Sequence, residues 1–83
     1  MRSRVADLPK RIKYARGLRG YTQAQLADNA GMPSSQIGHY ESGSREPSCT
    51  QLVRLADALE VSTDYLLGRV PYIPVNGLWR PIQ

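Results

Sequence analysis

His39 and Cys49 are the only histidine and the only cysteine in a chain of 83 residues. Without further ligands of either kind they build no zinc site, and Cys49 has no partner for an internal disulfide. His39 also has no nucleophile or carboxylate beside it in the pattern, so no enzyme chemistry is visible. What remains is hydrogen bonding. On a helix beginning near Ser34, Ile37 and Tyr40 share one face with Glu41, while the opposite side carries Ser35, Gly38, His39 and Ser42, flanked by Ser34 and Gln36. An uncharged donor-and-acceptor face of this kind suits base edges in a major groove.

The net charge is +4, and its placement matters more than its size. Arg2, Arg4, Lys10, Arg11, Lys13, Arg16 and Arg19 crowd the first quarter of the chain. Such a cluster attracts phosphate oxygens and supplies the salt-dependent part of nucleic-acid affinity. The same run is also compatible with a solvated helix face. At this length the chain holds one domain with a modest core, which a partner subunit would help. No apolar run approaches the roughly 20 residues that span a bilayer, and no charged-then-apolar leader follows Met1. A cytoplasmic location is the expectation, with no membrane contact, no metal and no cofactor.

Positioning these groups falls to helices, and the expected fold is all-α. Leu8, Ile12 and Ala15 predict a first helix from about Asp7 to Arg19, ended by Gly20. Thr22 and Gln25 are spaced as a capping box for a short second helix running to about Asn29. Gly31 stops it, and Pro33 suits the start of the third. Pro47 and Ser48 open a fourth helix, with Ser48 and Gln51 as a second capping box and Leu52, Leu55, Ala56 and Leu59 as its apolar stripe. Ser62 caps a last short helix carrying Tyr65, Leu66 and Leu67, which Gly68 terminates.

Between Gln23 and Glu41 the residue types fall where two helices joined by a tight turn require them. Ala27 must be small where the third helix crosses the second, Gly31 takes the turn, and Ile37 and Tyr40 anchor the third helix. The segments Gly20-Tyr21-Thr22-Gln23, Gln25-Leu26-Ala27, Gly31, Ile37, Tyr40-Glu41-Ser42-Gly43, Arg45, Pro47-Ser48 and Leu52 to Leu67 follow in an order and spacing that resemble the Cro and phage-repressor type of helix-turn-helix family, also called XRE, over Leu8 to Gly68.

The resemblance implies a compact five-helix, lambda-repressor-like domain whose third helix enters the major groove of double-stranded DNA, a docking geometry that members of this family illustrate. It implies base contacts from Ser34, Ser35 and His39, and phosphate contacts from Gln23, Gln36, Ser42 and Arg45, to which the basic residues Arg11 and Arg19 are added. Arg16 and Glu41 match a structural ion pair between the first and third helices. Two residues depart from the pattern. Glu46 places a carboxylate where neutral or basic residues are common, and Gly38 puts a glycine inside a helix, either to permit close backbone approach or as tolerated drift.

Three regions carry further expectations. The arm Met1–Val5 holds Arg2 and Arg4 and resembles arms that enter a minor groove, although disorder is the simpler reading. Cys49, at a helix start, reads either as a small packing residue or as a redox-sensitive thiol. The chain divides into an arm (1–6), a DNA-binding domain (7–69) and an extended tail (70–83). That tail is too apolar for a linker, and Val75-Asn76-Gly77-Leu78 carries a hairpin-turn signal, while Pro71, Pro74 and Pro81 argue against a regular paired strand and for an edge or extended segment. Either it folds back on its own domain, or Tyr72, Ile73, Leu78 and Trp79 extend a homodimer or partner contact. A repressor or autoregulator is the function expected, with an antitoxin-type regulator or a protein-interaction adaptor as alternatives.

Overall fold

Leu8, Ile12 and Ala15 recur every three or four residues and form the buried side of a first helix, α1 (Leu8–Arg19). The computed structural model describes residues 7–70 with their side chains and the backbone of residues 72–75 and 78–81. Asp7 stands just outside α1, Pro9 lies in its first turn, where helix amides lack partners in any case, and Gly20 ends it at φ 73°.

The second helix, α2 (Gln23–Ala30), begins with the complete capping box that its sequence predicts. The Thr22 hydroxyl accepts the Gln25 amide at 3.1 Å, and the Gln25 side-chain oxygen accepts the Thr22 amide at 2.9 Å. Gly31 then adopts φ 70°, a left-handed turn that a β-carbon would strain, and the Met32 amide donates back to the Ala27 carbonyl at 3.0 Å. This turn delivers the chain into α3 (Ser34–Ser42).

Ser48 caps α4 (Cys49–Leu59) by accepting the Gln51 amide at 3.2 Å. The predicted second capping box is only half formed. Gln51 does not reach back to the Ser48 amide, because its side-chain oxygen accepts the Tyr40 hydroxyl instead and so ties α3 to α4. A long-range bond has displaced a local one. Ser62 caps α5 (Thr63–Leu66) by accepting the Tyr65 amide at 3.0 Å, and Gly68 follows in the left-handed region.

All five helices contribute to one core, including Ile12, Leu26, Ile37, Leu55, Leu59, Tyr65 and Leu66, each fully buried. A buried leucine or isoleucine stabilises by roughly 1.5–3 kcal/mol, so the helices hold together through this cluster rather than through their short individual lengths. Ala27 is buried, and α2 packs on both α3 and α4. Leu52 and Leu67, expected among the apolar residues of the last two helices, are half-buried, Leu52 against the core.

The tail follows its hairpin-turn signal rather than the argument from its prolines against a regular paired strand. Two strands, β1 (Tyr72–Val75) and β2 (Leu78–Pro81), pair antiparallel, with Tyr72 opposite Pro81 and Pro74 opposite Trp79. The prolines permit this because their two pairs have the same parity along the ladder. Both can occupy the pair type whose N–H points away from the partner strand, where a missing donor breaks no bond. The predicted turn residues Asn76 and Gly77 lie outside the described residues, as do the arm Met1–Val5 and the side chains of Tyr72, Ile73, Leu78 and Trp79. Among the described residues, no helix is long and apolar enough to cross a membrane.

Candidate nucleic-acid interface

The third helix is half anchor and half display. Ile37 and Tyr40 are buried against the core, whereas Ser34, Ser35, His39 and Ser42 are exposed and Gln36 is half-buried. The three residues predicted to contact bases therefore stand on one accessible helix with no charged side chain among them. Pro33 precedes the helix in an extended conformation and supplies no side-chain acceptor to its first turn. Nor does the first turn of α3 hold an acidic residue against the positive end of the helix dipole.

Glu41 fixes this helix to the other two. Its carboxylate accepts Arg16 Nε at 2.6 Å and Nη2 at 3.1 Å, the two-pronged geometry that a guanidinium makes with a carboxylate. The Arg16 side chain is 17% exposed and that of Glu41 5%, so the pair is largely dry. Arg16 also donates from Nη1 to the Tyr21 carbonyl at 2.8 Å. The hydrogen bond that Arg16 donates to Glu41, with the carboxylate's charge adding to it, raises the Arg16 pKa above its ordinary value against the lowering effect of burial. The predicted ion pair is present, and a third member was not foreseen. Gln23, at the start of α2, donates from Nε2 to Glu41 Oε1 at 3.1 Å. One carboxylate thus joins α1, α2 and α3 and orients the predicted phosphate-contacting glutamine.

Beyond α3 the chain turns at Gly43, with φ 83°, into an exposed loop holding Ser44, Arg45 and Glu46. Arg45 is folded toward the end of α3 by its amide, which donates to the His39 carbonyl at 3.3 Å. Burial raises the pKa of Tyr40, and the nearby Arg45 charge opposes that rise. His39 and Ser42, predicted to contact base and backbone, are brought together here with Ser44, whose hydroxyl lies 2.9 Å from His39 Nδ1. Ser44 carried no signal in the sequence beyond its place in a turn.

Arg11 and Arg19 have structural partners. Arg19 donates from Nε to the Leu59 carbonyl at 2.7 Å and from Nη2 to the Glu60 carbonyl at 3.0 Å, placing its charge on the negative end of α4. Arg11 donates to the Tyr65 carbonyl at 3.4 Å, and its guanidinium lies over the Tyr65 ring, 5.4 Å from the centroid. These clamps join α1 to residues 40 and 54 positions away, so no local sequence pattern announces them.

The two departures from the family pattern sit differently. A β-carbon at Gly38 would meet nothing closer than the Gln23 side-chain oxygen at 3.8 Å, so packing within the domain does not demand a glycine there. Glu46 is exposed. Cys49 is also exposed, against the reading of it as a packing residue. Among the described residues, no cluster of three or more histidine, cysteine or acidic side chains could hold a metal.

A tight left-handed turn joins α2 to α3, which presents a polar exposed face and is anchored by an ion pair; the family model described as helix-turn-helix matches residues 12–66. The chain belongs to the helix-turn-helix family. It is similar to the HTH-type transcriptional regulator ImmR of Bacillus subtilis, with 40% identity over 63 residues, 76% of this chain and 50% of the relative. It is also similar to the cryptic phage CTXphi transcriptional repressor RstR of Vibrio cholerae, with 50% identity over 48 residues, 58% of this chain and 43% of the relative. The chain therefore spans about half the length of these curated relatives. Among solved structures, the P22 c2 repressor in complex with a synthetic operator matches with a TM-score of 0.69 and 32% identity, covering 71% of this chain and 89% of that one. The Cro and phage-repressor resemblance of the sequence is borne out, and so is the five-helix helix-turn-helix domain.

Proposed function

We propose that this chain is a sequence-specific regulator of transcription, a repressor or autoregulator, that places α3 in the major groove of double-stranded DNA. The observation that carries the reading is the exposed, uncharged hydrogen-bonding face of Ser34, Ser35 and His39, held at fixed orientation by the Glu41 junction. Groups of this kind read base edges, while charge at the margin positions the backbone. Gln23, Gln36, Ser42 and Arg45 are the phosphate contacts in this reading. Arg11 and Arg19, bound to carbonyls at helix ends, add positive field. The names of ImmR and RstR and the operator-bound P22 c2 repressor support it.

The protein acts as a homodimer, with residues 70–83 as the contact beyond the domain of residues 7–69. The support is that a lone two-stranded hairpin is marginally stable in water and gains from a third surface. Ile73→Asp combined with Trp79→Asp should leave the helices folded and yield a monomer by sedimentation. A variant that stays dimeric removes the tail from the interface.

Selection of genomic duplex fragments by the purified protein at near-physiological salt tests the main reading. An inverted repeat bound about a thousandfold more tightly than random duplex is the expected result. Weak, unselective binding abolished by modest salt would overturn it and favour a protein-interaction adaptor or an antitoxin-type regulator working through the tail.

A further inference from the structure

Gln23 stands exposed at the first position of α2, and its side chain reaches across to α3. Nε2 donates to Glu41 Oε1 at 3.1 Å. The chemistry of the partner fixes the direction of the amide. Glu41 takes two nitrogens from the Arg16 guanidinium, Nε at 2.6 Å and Nη2 at 3.1 Å, so its carboxylate is ionised and can only accept. A reversed amide would set one acceptor oxygen against another at the same 3.1 Å, with no proton between them. The nitrogen therefore faces Glu41, and the oxygen is turned elsewhere.

That oxygen comes to rest beside Gly38. A β-carbon at Gly38 would lie 3.8 Å from Gln23 Oε1, and no other residue beyond its own helical neighbours comes within 4 Å. Gly38 stands one turn after Ser34 and one turn before Ser42, along the exposed polar side of α3. Among the described residues, none donates to Gln23 Oε1. A glycine at this position weakens the helix and packing inside the domain does not ask for it. What the missing side chain leaves is an open approach to an unused acceptor.

We propose that Gln23 Oε1, uncovered by the glycine at position 38, accepts a hydrogen bond from the amino group of a base, adenine N6 or cytosine N4, in the major groove. At one position of one strand the protein then selects these amino bases over guanine and thymine, which present keto oxygens there. The second hydrogen on Nε2 stays available for a phosphate oxygen, so one amide serves both affinity and specificity. The inference rests on the reading of α3 as the base-reading helix.

Selection from randomised duplex by the parent, Gln23→Met and Gly38→Ala tests it. Gln23→Met keeps the length of the side chain and removes its oxygen and nitrogen. Gly38→Ala keeps the amide and sets a methyl group against its oxygen, at a distance that is ordinary van der Waals contact and leaves the fold intact. In the parent, one strand position should favour adenine or cytosine over guanine and thymine by about fivefold, the worth of one hydrogen bond. Both variants should flatten that preference and keep the rest of the selected sequence. A contact to phosphate alone has a different signature, weaker binding to every sequence with all base preferences retained.

That signature in Gln23→Met overturns the inference and leaves base reading by α3 intact. A parent that favours guanine or thymine at the position both variants disturb does the same. A Gly38→Ala variant that retains the amino-base preference overturns the role given to the opening at residue 38. A parent that selects no sequence at all removes the base-reading role of α3, and this inference with it.

Discussion

Arg16 meets the Glu41 carboxylate with two nitrogens, Nε at 2.6 Å and Nη2 at 3.1 Å, across 25 residues of sequence. The pair sits at the junction of α1 with the end of α3, and little water reaches it. Removing one partner strands the other charge, at a typical cost of 3–5 kcal/mol, much of it the desolvation of the survivor. Glu41→Ala should lose about 3 kcal/mol in urea unfolding followed by circular dichroism, and Arg16→Ala a similar amount. A Glu41→Ala variant that unfolds with the parent's midpoint would show that the junction is not what holds α3.

Gly38 makes the opposite prediction. It lies inside α3, where glycine costs roughly 0.5–1 kcal/mol relative to alanine, and the added β-carbon would meet Gln23 Oε1 only at ordinary van der Waals distance. Gly38→Ala should raise the melting temperature by a few degrees. If the same variant binds duplex more weakly although it is more stable, the glycine admits close approach of the nucleic acid.

Tyr65 is fully buried, and burial raises its pKa above the ordinary 10.0, with Arg11 opposing and Tyr14 reinforcing the rise. Tyr40 is raised in the same direction by burial. The folded state therefore holds these protons more tightly than the unfolded chain does. Their contribution to stability is complete below pH 10.0 and is lost as pH rises from there through the folded-state values. Thermal melts between about pH 8 and 11 should show the decline, and Tyr65→Phe should flatten it. An equally steep decline in Tyr65→Phe and in Tyr40→Phe would assign the effect to other groups.

Arg45 is exposed beyond the end of α3. As a phosphate contact it should contribute affinity without sequence preference. Arg45→Ala should lower the salt dependence of binding by about one unit of slope and leave the selected sequence unaltered. A changed base preference with an unchanged slope would make Arg45 a base-reading residue.

Much of this architecture is legible in the sequence because its signals are local. The Thr22–Gln25 box, the Gly31 turn and the apolar spacing of α1 and α4 each fit within a few residues, and each appears where it is predicted. The same is true of the polar face of α3. The Ser48–Gln51 box is half right, because Tyr40, 11 residues away, competes for the Gln51 oxygen. Arg11 and Arg19 look like surface charge in sequence and prove to bind the carbonyl ends of α5 and α4, since periodicity does not report which helix end lies beside a given side chain. The junction shows both sides of this. Arg16 and Glu41 are readable by family resemblance, whereas the Gln23 bond to the same carboxylate depends on how α2 meets α3.

The hairpin is signalled by Val75-Asn76-Gly77-Leu78, while its prolines argue against a regular paired strand and for an edge or extended one. Proline is penalised in a sheet interior, yet in a two-stranded ribbon both strands are edges. Where the pairs of Pro74 and Pro81 are of the type whose amides point outward, as their shared parity allows, the outer rim of each strand lacks a donor that a further strand would need. Open-ended growth by strand addition, the usual hazard of exposed ribbons, is therefore obstructed on both sides. Pro74 and Pro81, which in sequence argue against regular pairing, thus act in the hairpin to disfavour the addition of further strands.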